Sequence, residues 1–219
     1  MPQERKIIIA CPTVLEEVRA FPLQEVPIRK LDFGLHTRPD KLQETLQAAI
    51  NDVDGDFETI ILGYGMCSNG VIGLKAQNSV LVVPRVSDCI AIFLGSAEAY
   101  AAQTRQEIGT YYLTKGWIEV CDTPLDEHRR MAEKYGRKQA DRMMGLMFQK
   151  YTRLGYILTG KEDQGKYRRR ARAIAQHFAL RYEEIQGSTR LITKMVQGPY
   201  DDDFIVCQHG RAIALSDFY

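Results

Sequence analysis

The sequence has no apolar run near the roughly 18 residues that a membrane-spanning helix needs. Its opening, Met1-Pro2-Gln3-Glu4-Arg5-Lys6, lacks the pattern of a secretory leader, so a cytoplasmic protein is expected. Charge of one sign is also lacking: 29 Lys and Arg stand against 28 Asp and Glu, a net of +1. No global field draws such a chain to nucleic acid or to an anionic membrane, and neither is expected as a partner. There is no CxxC pair, which removes the commonest zinc and redox spacings. A Pro-, Gly- or Ser-rich linker and a clean internal repeat are missing too. The composition, 45% hydrophobic and 26% charged over 219 residues, excludes disordered and fibrous chains and suits one α/β domain or two small lobes.

What is present is an alternation of short β-branched runs with helical periodicity. Lys6 to Ala10 reads as a buried strand closed by Cys11-Pro12, Leu15 to Phe21 as a short helix, and Val26 to Leu35 as a second strand. Pro39 opens a crossover helix over 39–53, and Thr59 to Leu62 and Ser79 to Val83 are strands three and four. Residues 97–107 read as helix, Thr110 to Val120 as strand or irregular cover, and Pro124 to Tyr151 as helical throughout. A second run follows: strand Gly155 to Thr159, helix 164–179, strand Arg181 to Ile185, helix 188–197 and strand Phe204 to Cys207. The fold expected is α/β, Rossmann-like, with a mostly parallel sheet flanked by helices, in one domain or two βαβ halves. The divisions expected are an N-terminal half at 1–123, a helical bridge at 124–152 and a C-terminal βαβαβ half at 153–219.

Ligands of such sheets bind outside the carboxyl ends of the strands, and three of the five cysteines, Cys11, Cys67 and Cys89, each follow a strand end. A parallel sheet collects them at one edge. Thiolates suit zinc or an iron–sulfur cluster, and three protein ligands leave one coordination position open to a small-molecule substrate. His36 and Cys207 are candidates for a fourth ligand. Free cysteines also pack as small hydrophobes, and one of the three, Cys89 foremost, could instead be a metal-free nucleophile. The loop Gly63-Tyr64-Gly65-Met66-Cys67-Ser68-Asn69-Gly70 fits neither the dinucleotide fingerprint nor the P-loop. Its Gly63, Gly65, Ser68, Asn69 and Gly70 could still bring backbone N–H groups to a carboxylate or phosphate, with His36 and Arg38 as neighbouring anion-binding groups. The cluster Met143, Met144, Leu146, Met147 and Phe148 reads as core or as a partner-facing surface. The basic run Tyr167 to Arg172, the Asp201-Asp202-Asp203 turn, and His128 and His177 read as solvated surface.

The strand running into Cys11, the Leu35-His36-x-Arg38-Pro39 loop, Gly63 to Gly70, Pro84 followed by Asp88-Cys89-Ile90, and Thr110-Tyr111-Tyr112-Leu113-Thr114 together resemble the prokaryotic DUF1638 domain family. In that family cysteines fall at the positions matching Cys11, Cys67 and Cys89. The resemblance implies a role beside corrinoid-dependent methyltransferases in one-carbon metabolism, as an enzyme or as a non-enzymatic metal-carrying or methyltransferase-docking protein. Pro12 departs from the small residue often found after the first cysteine, and it stiffens that loop.

Overall fold

The computed structural model describes residues 5–19, 26–32, 34–35, 38–67, 69–159 and 165–219. Two compact units divide the chain, one of Met1–Tyr100 with Ser188–Tyr219 and one of Ala101–Gly187.

In the first unit, β1 (Lys6–Ala10), β3 (Thr59–Gly63) and β4 (Val80–Pro84) are short apolar runs buried almost throughout. Strands covered by helices on both faces need such continuous apolar sequence. They join β2 (Ile28–Lys30) in the order β2-β1-β3-β4, all parallel, and β8 (Phe204–Cys207) closes the edge antiparallel to β4. From β1 the chain crosses to β2 on one side and then back to β3 on the other. The carboxyl ends of β1 and β3, aligned by the Ala10–Gly63 register pair, therefore flank a topological switch point, where a crevice opens in doubly wound sheets.

Helix α2 (Pro39–Asn51) buries Leu42, Leu46, Ala49 and Ile50, a stripe at helical spacing. It packs on the face that carries Ile7, Ile9, Ile60 and Leu62. Each such side chain contributes about 1.5–3 kcal/mol on burial. Helix α1 (Pro12–Arg19) covers the opposite face, where Val14 lies against Gly63. Helix α3 (Cys89–Leu94) starts five residues beyond β4 and stops at Gly95, whose φ of 89° only glycine adopts without strain. Helix α4 (Ala97–Gln106) carries the chain onward.

The second unit is a parallel sheet of β5 (Thr110–Leu113), β6 (Arg153–Leu158) and β7 (Arg181–Gln186) in that order. The stretch 110–120, expected as strand or irregular cover, is strand only to Leu113, because the Thr114 hydroxyl accepts from the Trp117 N–H and starts α5 (Lys115–Val120). The expected single helical stretch is two helices, α6 (Pro124–Tyr135) and α7 (Arg137–Phe148), parted at Gly136 with φ 82°. Helix α8 (Gly165–His177) completes the unit. Arg153 is wholly buried, its guanidinium donating to Thr110, Gln103 and Glu183, the partners a sequestered charge requires.

After α9 (Arg190–Gln197), the last strand departs from the sequence reading. β8, expected to end a C-terminal βαβαβ half, lies in the first unit as the partner of β4. No helix among the described residues is long and apolar enough to cross a membrane.

Candidate functional site

The three thiols are brought together. Cys11 follows β1, Cys67 lies in the loop after β3 and Cys89 opens α3 after β4, all at the carboxyl edge and astride the switch point. Two main-chain hydrogen bonds tie the last two loops: the Met66 N–H donates to the Val86 carbonyl at 2.8 Å and the Cys67 N–H to the Ser87 carbonyl at 2.9 Å. Cys67 takes a left-handed conformation, φ 47°, uncommon for a residue with a side chain and a mark of local constraint.

Backbone donors converge on the sulfurs. The Cys11 sulfur lies 2.9 Å from the Thr13 hydroxyl and accepts from the N–H groups of Thr13 and Val14 in the first turn of α1. Pro12 occupies that turn where its missing N–H is not needed, so the stiffening residue fixes the helix start directly behind Cys11. The Cys67 sulfur accepts from the N–H groups of Gly65 and Cys89. Burial outweighs these donors. It pushes Cys11 above the ordinary thiol range, Cys67 up to about 12 with help from Cys11 and Asp88, and Cys89 well upward with help from Cys11 and Cys67. All three residues are partly exposed. The site thus holds three coupled thiols that burial keeps protonated at neutral pH. As they stand, no group of three or more His, Cys, Asp and Glu side chains among the described residues is placed to hold a metal ion.

Two further groups border the thiols: Asp88, which caps α3 as the residues before Cys89 suggest, and Tyr64, which the sequence reading missed. The Asp88 carboxyl accepts from the Ile90 N–H at 2.9 Å and from Tyr100, while burial pushes its pKa up. Tyr64 is only 4% exposed, and its hydroxyl has no hydrogen-bond partner among the described residues, at a cost of about 1–3 kcal/mol. Its one sequence signal was a tyrosine between two glycines at a strand end.

The glycines of the loop serve packing. A Cβ at Gly63 would lie 2.4 Å from the Ala10 Cβ, one at Gly65 2.7 Å from the Asp88 Cα, and one at Gly70 2.7 Å from Leu42. The N–H groups of Gly65, Met66, Cys67 and Gly70 are all engaged within the protein, so they are not free for a carboxylate or phosphate. Asn69 is exposed with φ 71°, and Arg38 is exposed just before α2. Ser68 and His36 lie outside the described residues.

The Cys207 expectation is corrected. Because β8 is antiparallel, Cys207 pairs with Leu81 at the opposite end of β4, where Arg211 donates to its sulfur at 3.0 Å. It cannot be a fourth ligand at the carboxyl edge. Other candidates resolve into structure. Asp201 and Asp203 pair with Lys194, and Asp203 also with Arg190. Arg168 and Arg172 pair with Glu184, and Arg170 with Asp126. His128, read as surface, is half-buried, 2.7 Å from Asp141 and edge-on to His177. Met144 and Phe148 are core, whereas Leu146 and Met147 are exposed.

A family model described as "Protein of unknown function (DUF1638)" matches residues 30–196. The chain belongs to the DUF1638 family. No curated protein and no solved structure matches it. The DUF1638 match takes in Cys67, Cys89 and Tyr64 and begins after Cys11.

Proposed function

We propose that this DUF1638 chain is a metal–thiolate protein in which Cys11, Cys67 and Cys89 hold an iron–sulfur cluster with one coordination position left to a small-molecule ligand, in the service of corrinoid-linked one-carbon chemistry. The observation that carries the reading is the meeting of three mutually coupled thiols, each behind a different parallel strand, at the switch point of the sheet. Backbone N–H groups near two of the sulfurs lower their pKa against burial and support the reading. Such donors stabilise the negative charge that thiolate ligation creates. The upward pKa of all three thiols disfavours a lone activated nucleophile, which needs a depressed one. A bound cluster would supply electron transfer or Lewis acidity at the open position. The chain's own part is to hold the thiolates, direct amides at them and leave one side open.

The test is anaerobic reconstitution with ferrous iron and sulfide, followed by the visible spectrum. The reading expects a broad charge-transfer band that bleaches on reduction and is absent from Cys67→Ser. Uptake of zinc alone, or no chromophore, would overturn the cluster.

A further inference from the structure

The basic run of α8 divides between two sides. Arg168 and Arg172 face Glu184, whereas Lys166, Arg169 and Arg170 line a pocket of about 540 Å3 shared with α5 and α6. α5 and α8 follow β5 and β6, and the start of α8 lies toward the carboxyl ends of those strands, the side on which parallel sheets take ligands. The carboxylates of Glu119 and Asp126 also line the pocket, and both are engaged. Glu119 accepts from the Tyr167 hydroxyl, and Asp126 accepts from Arg170 Nη2 at 2.7 Å. Arg170 also donates to Thr123 from that same nitrogen, so its Nη1 and Nε meet no partner among the described residues. Arg169 is exposed and makes no hydrogen bond or ion pair among the described residues. The Lys166 ammonium has only the Tyr167 ring, 5.5 Å away, and Lys115 lies 5.8 Å from the same ring. Cations gathered with no carboxylate left over repel one another unless an anion joins them.

We propose that this pocket binds a small molecule that carries a phosphate monoester on an apolar or aromatic body. A dianion matches the two uncommitted cations, Lys166 and Arg169, in charge. The open Nη1 and Nε of Arg170 present a fork to two of its oxygens, and Asp126 holds that guanidinium in place before any ligand arrives, which lowers the ordering cost of binding. Half-buried Ile118 and Tyr167 supply the apolar wall against which the body of the ligand packs. The volume falls in the range of pockets that take such ligands. No residue of the thiol edge takes part, so the inference stands or falls apart from the metal–thiolate reading.

The experiment titrates phenyl phosphate and inorganic phosphate into the full-length chain by calorimetry, at low salt and about pH 8, where the monoester is a dianion. One saturable site is expected for phenyl phosphate, with weaker binding of inorganic phosphate, which lacks the ring. Arg169→Gln should weaken phenyl phosphate binding about tenfold, the loss of one charge-assisted bond. Arg168→Gln makes the same change of charge on the neighbouring residue, which pairs with Glu184 outside the pocket, and should leave the affinity unchanged. No saturable binding to wild type, equal affinity for the two anions, or no effect of Arg169→Gln overturns the proposal. Equal weakening in the two variants overturns it as well, because a diffuse positive field and not a built pocket would then hold the anion. Arg169 is exposed, so its replacement spares the fold, and circular dichroism of the variant checks this.

Discussion

The Cys67 N–H donates to the Ser87 carbonyl at 2.9 Å, and this bond joins the loop after β3 to the loop that ends in Cys89. Two thiols far apart in sequence are thereby held in one frame, with the third supplied by the neighbouring strand. The frame needs close main-chain approach, and Gly65 permits it.

Gly65→Ala tests that frame. The added Cβ would stand 2.7–2.9 Å from three backbone atoms of Asp88, which cannot move aside as a side-chain end can. A loss of about 1–3 kcal/mol in denaturant unfolding is expected, with impaired iron uptake. Wild-type stability and uptake together would show that the two loops are not clamped at this point.

The thiols dictate the pH dependence of metal uptake. In the free protein their pKa values are raised, Cys67 to about 12, so at neutral pH they carry protons that thiolate ligation must release. Affinity should rise with pH through the neutral range, with protons released on binding measured by calorimetry in buffers of different ionisation heat. In the metal-free protein, iodoacetamide labelling of Cys67 should keep rising with pH and show no plateau below about pH 11. A plateau near neutrality would restore the nucleophile reading.

Arg153 is the most sequestered charge of the second unit. Arg153→Ala removes the donor that Thr110, Gln103 and Glu183 share, leaving Thr110 with the Glu107 carbonyl and Glu183 with Arg181 alone. Fully buried pairs lose about 3–5 kcal/mol on such truncation, and a partner still 28% exposed reduces this to about 2–3 kcal/mol. Urea unfolding checks it, and a change below about 0.5 kcal/mol would contradict it.

Acid should weaken the same unit. The Arg181 and Arg153 guanidinium groups hold Glu183 below the usual carboxylate range. Hydrogen bonds from Thr152 and Arg181 do the same for Glu107. Carboxylates depressed in the folded state contribute stability above their unfolded pKa, which disappears as pH falls through the folded value. Unfolding followed by urea should therefore show stability falling below about pH 4.5, and less steeply in Glu183→Gln. A flat profile would contradict the pairing.

The sheet and its cysteines were legible because strand ends announce themselves. Cys11-Pro12, Gly63-Tyr64-Gly65 and Pro84-Arg85 each stop a β-branched run, and parallel order follows from the helices between. The direction of β8 was not legible, since an antiparallel edge strand carries the same short apolar pattern as a parallel one, and with it went the placing of Cys207. The break at Gly136 was masked by helical periodicity on both sides. Tyr64 escaped notice because an aromatic residue at a strand end reads as core, and only the unpaired hydroxyl marks it otherwise.

The central claim is tested most directly by iron and acid-labile sulfide per chain in protein purified without oxygen, beside a variant with Cys11, Cys67 and Cys89 all changed to serine. The account predicts stoichiometric iron and sulfide in the wild type and neither in the variant. A folded wild-type chain without both, or a variant that keeps them, would contradict it.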